Sequence, residues 1–177
     1  MVTAAKPKVG GAISKAPTGT TLPTTANATL DQAFNNLGYI SDEGVKRNVD
    51  METETIKAWG GDVVLVLNTG KTETIRFVML DSTNLHVLKT VFGSANVSGT
   101  LTDGIAINSN NSEMESNAYV VDMIESDNTL HRVVVPSGKV SSIGEITYVD
   151  NDAVKYDVTV TCQADSSGNT VYDYIKQ

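Results

Sequence analysis

Val63-Val64-Leu65-Val66-Leu67-Asn68-Thr69-Gly70-Lys71-Thr72-Glu73-Thr74-Ile75-Arg76-Phe77-Val78-Met79-Leu80 decides the fold class. Its first five residues are the longest apolar run in the chain. That is far short of the ~18 apolar residues of a membrane-spanning helix, and it reads as a buried strand. After Gly70, polar and apolar residues alternate as they do along a half-buried strand. Asn68-Thr69-Gly70 lies between the two runs and carries the chemistry of a hairpin turn. The centre of the chain is therefore read as β.

Downstream the same pattern continues. Strands are expected at 105–107, 118–124, 130–135, 143–149, 154–161 and 171–175. Turn chemistry separates them at Asp103-Gly104, Asp127-Asn128, Pro136-Ser137-Gly138, Asp150-Asn151-Asp152 and Ser167-Gly168-Asn169. One helix interrupts them at about 82–92, with Asp81 or Ser82 as N-cap. Leu85, Leu88 and Phe92 form its core stripe, Val91 lies beside them, and Gly93 is its left-handed stop. A shorter helical turn is expected over Leu30–Leu37, ending at Gly38, followed by a short strand at Tyr39-Ile40-Ser41 and a polar turn at Asp42-Glu43-Gly44. The fold class is β-dominated α+β: a β-sandwich or partly closed barrel with one flanking helix and an extended N-terminal arm.

The arm is residues 1–29, and the body is residues 30–177. The first segment holds three of the four prolines, three glycines and seven threonines, too few large apolar groups to offset its ordering entropy. It is either a disordered leader or an arm that orders across a neighbouring subunit. Residues 46–61 read as a long loop. Within it Asp50, Glu52 and Glu54 alternate with Met51, Thr53 and Thr55, which puts three carboxylates on one face if the segment is extended. Ile56 and Trp59 follow, and Gly60-Gly61 leads into the Val63 strand. Trp59 is expected to be buried, in the fold or against a neighbour.

Charge and composition exclude several functions. Thirteen Lys and Arg against twenty-one Asp and Glu leave a net charge of −8, which opposes the counterion release behind nucleic-acid binding. Aromatics at 6% are too sparse for a base-stacking platform. A lone cysteine, Cys162, allows no internal disulfide framework, and no activating cation stands beside it in sequence. His86 and His131 have no zinc-ligand spacing. An EF-hand reading of Asp50-x-Glu52-x-Glu54 fails at the sixth and twelfth loop positions, which are Thr55 and Gly61. No catalytic, metal or cofactor site is expected, and no membrane span. The opening residues lead into no apolar signal core, so synthesis in the cytoplasm is the expectation.

One charge feature is unusual. From Thr90 through His131 there is no Lys or Arg, while Asp103, Glu113, Glu115, Asp122, Glu125 and Asp127 fall inside the span. This is either a solvated acidic face or a surface that repels a polyanion.

Three segments resemble the major tail (tail tube) proteins of long-tailed, siphovirus-type bacteriophages. They are Leu37-Gly38-Tyr39-Ile40-Ser41-Asp42-Glu43-Gly44-Val45, Ile56-Lys57-Ala58-Trp59-Gly60-Gly61-Asp62-Val63-Val64 and Leu85-His86-Val87-Leu88-Lys89-Thr90-Val91-Phe92-Gly93. The Ser/Thr/Ala/Pro leader before Leu30 is also similar, and the resemblance covers about residues 20–93. It implies a β-sandwich flanked by a helix, hexameric rings stacked into a tube that conducts genome DNA, and no enzymatic activity. The implied setting is the virion tail, made in the bacterial host cytoplasm. The implied partners are further copies of the chain, with tape-measure and tail-completion proteins. DNA would pass without specific binding, and an acidic wall suits that passage. Asp122 and Glu125, then Glu113 and Glu115, are the lumen-facing candidates. Asp50, Glu52, Glu54, Ile56 and Trp59 are the inter-subunit candidates. A carbohydrate-binding or adhesin-like β-sandwich is the alternative, and a β-rich hydrolase the weakest reading.

Overall fold

The computed structural model describes residues 2–8 and 11–177. Its strands are β1 (Ala5–Pro7), β2 (Ile13–Pro17), β3 (Asn35–Asn36), β4 (Ile40–Lys57), β5 (Val63–Met79), β6 (Val97–Thr100), β7 (Gly104–Ile107), β8 (Ser116–Glu125), β9 (Leu130–Ile143), β10 (Tyr156–Gln163) and β11 (Tyr172–Lys176). One α-helix, α1 (Leu85–Phe92), lies between β5 and β6. Seven strands follow the order β3-β2-β8-β9-β10-β5-β4, with β1 added on β8 and β11 on β9. All their pairings are antiparallel. β6 and β7 form a separate small hairpin.

The sheet curls until its inner faces share one core. Phe77 on β5 and Tyr119 on β8 are three strand positions apart, about 14 Å in a flat sheet. Their ring centroids are 6.4 Å apart. Ile13, Ile75, Val121, Val135, Val158 and Val160 complete the same cluster. The sheet does not close into a barrel. Instead, α1 covers part of the core with Val87, Leu88 and Val91, and Phe92 meets Tyr156 edge-on at 6.1 Å. The result is the β-dominated, sandwich-like fold with one flanking helix that the sequence reading expects.

Several elements differ from expectation. The N-terminal stretch is extended, but in its own sheet: β2 pairs with β8 from Ile13↔Val121 to Pro17↔Asn117, and Ile13 and Ala16 are buried. Ile13 enters the main core cluster there together with the small Ala12, which gives the segment the burial its composition does not announce. The 46–61 segment is no loop. β4 and β5 pair from Val45↔Phe77 to Lys57↔Val63, and the turn is Ala58–Asp62. Asn68-Thr69-Gly70 therefore lies inside β5, where a bulge opposite Glu52 and Thr53 absorbs the extra residue. Ser41–Gly44 is likewise a bulge within β4, and β4 begins only at Ile40.

Pro136-Ser137-Gly138 runs inside β9 and makes no turn. A Cβ on Gly138 would meet Val160 at 2.6 Å and Tyr119 at 3.2 Å, so this glycine serves a close approach of side chains. Residues 144–155, which include most of the strand expected at 143–149, are irregular. No helix forms over Leu30–Leu37. Asp31 caps a single turn by accepting from the Ala33 amide at 2.9 Å, and Leu37 is buried next to Gly38 at φ 73°. α1 starts later than expected, with Asn84 as N-cap accepting from the His86 amide at 2.9 Å. Leu88 is buried, whereas Leu85 and Phe92 are half-buried at the core margin. Gly93 ends the helix at φ 90° and ψ 142°, a positive-φ stop outside the left-handed helical region.

Candidate inter-subunit site

β4 and β5 continue past the core as a two-stranded arm. β10 pairs with β5 only as far as Glu73, and from Asp50↔Thr72 outward the two strands pair with each other alone. Val63 lies ten residues beyond Glu73, so the arm projects about 30 Å. Val63, Val64, Leu65, Val66 and Leu67, expected to be buried, are all exposed, and so are Met51 and Ile56 on β4. Trp59 is fully exposed at the tip (107%). Gly60 at φ 117° and Gly61 at φ 101° turn the chain there, and the Ala58 amide donates to the Asp62 carbonyl at 2.8 Å. Asp50, Glu52 and Glu54 alternate along β4 and are exposed. An isolated two-stranded hairpin is marginal in water, and a contiguous apolar surface of this kind marks an interaction site. No other strand or helix among the described residues pairs with or covers this part of the sheet.

A charged network seals the core where the arm leaves it. Glu73 is the last inward position of β5, in line with Ile75, Phe77 and Met79, and it is fully buried. Arg47 contacts its Oε1 at 2.5 Å, and the Lys71 amino group and Thr170 hydroxyl reach Oε2 at 2.9 and 2.5 Å. Burial alone would raise this carboxyl's pKa, but the Thr170, Lys71 and Arg47 contacts outweigh it and hold the group below its ordinary value. Arg47 also binds Asp173 at 2.6 Å, which ties β4 to β11. Asp173 in turn meets the His131 ring at 3.2 Å, with Glu125 on the other ring nitrogen at 3.1 Å. Cys162 is buried beside this network. Burial pushes its thiol up to about 11, so the nearby Arg47 and Lys71, committed to Glu73, do not activate it.

The four lumen candidates separate into two kinds. Asp122 is buried and accepts from Arg132 Nε at 2.5 Å and Nη2 at 3.1 Å. A desolvated carboxylate with a dedicated cation cannot be a free wall charge, so the Asp122 assignment is corrected. Glu125 is mostly buried and held by His131. Glu113 (85% exposed) and Glu115 are on the surface, and Glu113 is bonded to Lys139. Within the Lys/Arg-free span, Asp122 and Glu113 thus meet Arg132 and Lys139 on β9, with Lys8 also 3.7 Å from Asp122, in space rather than in sequence.

Sequence reasoning missed Arg132 and Glu73, because a single charged residue inside an alternating strand does not announce that it is buried. It also missed a cavity of about 500 Å³ at the base of the arm, between β1, β8 and the Ser41–Gly44 bulge.

The family model described as "Phage tail tube protein" matches residues 6–177. No curated protein matches the chain. Among solved structures, the anti-feeding prophage tube terminating cap is similar at a TM-score of 0.50 and 8% identity, covering 95% of this chain and 91% of that one. The sheath/tube terminator of an extracellular contractile injection system, PVC, in its extended state, aligns at a TM-score of 0.45 and 11% identity, covering 95% and 96%. The likeness to the tube terminating cap, at 8% identity, is one of fold alone.

Proposed function

Because this chain belongs to the phage tail tube protein family, a structural and not an enzymatic one, we propose that it is the repeating subunit of a tail tube. Copies associate into rings, six to a ring by the resemblance of the sequence, and the rings stack around a channel for genome DNA. The observation that supports this reading is the β4–β5 arm, whose apolar side chains pair only across its two strands and stay exposed among the described residues. Burying apolar surface contributes about 25 cal/mol per Å², so repeated arms on repeated neighbours give a strong drive to polymerise. The net charge of −8 suits a wall that DNA passes without adhering. Glu113 and Glu115 are the exposed acids proposed to face the channel. Tape-measure and tail-completion proteins are the proposed partners at the tube's interior and ends.

Negative-stain electron microscopy of the concentrated protein tests this. Rings or tubes are expected, whereas a monomer at every concentration would favour the binding-module alternative.

A further inference from the structure

We propose that Lys15 and Asn117 join covalently within one chain, the Lys15 amine displacing the Asn117 amide nitrogen to form an isopeptide bond between β2 and β8. The strand register sets the two side chains together. Lys15 pairs with Tyr119 and Pro17 with Asn117, so Lys15 and Asn117 lie on one face of the sheet as diagonal neighbours. Such neighbours stand about 7 Å apart, within reach of a long side chain. Lys15 and Asn117 are each only 7% exposed. A lysine is almost never this buried without a partner, yet no hydrogen bond or ion pair among the described residues holds the Lys15 amine.

The surroundings favour the uncharged, nucleophilic amine. Burial pulls its pKa below the ordinary lysine range; Glu115 opposes this and Lys89 adds to it. Desolvation of this kind is what activates a lysine as a nucleophile. Glu115 supplies the proton carrier. It lies two residues from Asn117, whose Nδ2 donates to the Glu115 carbonyl at 3.4 Å. Its carboxylate acts on the Lys15 amine and accepts from the Ser94 hydroxyl.

The step balances without a cofactor or an oxidant. The Nζ lone pair attacks Cγ of Asn117, the Nζ–Cγ bond forms, and the Cγ–Nδ2 bond breaks. Glu115 takes one proton from Nζ and returns one to Nδ2, which leaves as ammonia. The product replaces an unpartnered buried amine with a neutral amide and fastens the N-terminal segment to β8. Asn35 stands opposite Lys15 on the other side, on β3. It is half-buried, and its amide nitrogen is committed to the Ala33 carbonyl at 2.9 Å, which leaves Asn117 as the electrophile.

Intact-mass spectrometry of the unaltered, folded protein tests this, and a single chain suffices, so the result does not depend on assembly. The mass should fall below that of the sequence by one ammonia. Proteolytic digestion should yield a branched peptide that joins the segments around Lys15 and Asn117. Lys15→Arg and Asn117→Ala should each keep the full mass, and Glu115→Gln should form the bond on the order of 100-fold more slowly after refolding. Unaltered protein that retains its full mass after prolonged incubation at neutral pH overturns the proposal. Loss of ammonia that persists in Lys15→Arg also overturns it, because Asn117 would then have cyclised onto its own backbone. A branch that ends on Asn35 overturns the assignment of Asn117.

Discussion

Arg132 on β9 and Asp122 on β8 face each other directly across the two strands, and the guanidinium holds both carboxylate oxygens, at 2.5 and 3.1 Å. The remaining nitrogen of Arg132, Nη1, donates to the carbonyls of Thr25 and Ala28 at 3.0 and 2.7 Å. One buried side chain thereby fastens the 25–28 segment onto the outer face of the sheet, opposite the face that carries Tyr119 and Val121.

Asp122→Ala should cost about 3–5 kcal/mol, because it strands the buried Arg132 charge. Chemical denaturation measures it. Arg132→Met should cost less overall, and limited proteolysis within residues 18–34 should then accelerate. If Asp122→Ala unfolds like the parent, the pair is not a structural fastening.

Glu73 governs part of the acid response. Its folded-state pKa is depressed, so its stabilisation is complete above the unfolded value, about 4.3, and is lost as pH falls through the folded value. The melting temperature of the parent should drop steeply below about pH 4. Glu73→Gln should lower it at neutral pH and flatten the acid limb. Parallel curves for the two proteins would assign the acid response to other carboxylates.

The Tyr119 hydroxyl is buried, without a hydrogen-bond partner among the described residues, and burial raises its pKa. Removing it with Tyr119→Phe eliminates an unsatisfied polar atom and keeps the ring against Phe77. Stability should hold or rise by about 1 kcal/mol. A clear loss in thermal unfolding would reveal a hidden partner for that hydroxyl.

Leu65 lies on the arm, exposed and paired with Ile56. Leu65→Asp should change the monomer's melting temperature little, within about 0.5 kcal/mol, since no core contact is lost. Assembly, followed by light scattering, should be abolished. An unaffected polymer would mean that this stretch of the arm remains in water.

Local pattern made some of this legible in the sequence and concealed the rest. Alternation at Asp50, Glu52 and Glu54 correctly puts these acids on one side of an extended strand. Tyr156, Val158, Val160 and Cys162 bury every second residue of β10, as their spacing requires. Val63–Leu67 reads as buried because a continuous apolar run normally has both faces covered within its chain. Here the described residues supply no covering, and no local signal distinguishes the two cases. The turn-like triplets misled for a related reason. Thr69 is absorbed as a bulge and Gly138 is needed for close packing, and both demands are imposed by partner strands distant in sequence. The placement of Glu113 and Glu115 relative to a channel depends on a ring that one chain does not contain.

The unbroken β4–β5 ladder makes the arm a ruler with discrete graduations. Removing two residues from each strand beyond Glu73 would shorten it by about 7 Å and leave every remaining side chain on its original face. Removing one from each would turn the tip over, sending outward what had faced inward. Insertions and deletions in the arms of descendant chains should therefore come in even numbers per strand, with bulges such as the one at Thr69 as the only places where a single residue can be gained or lost.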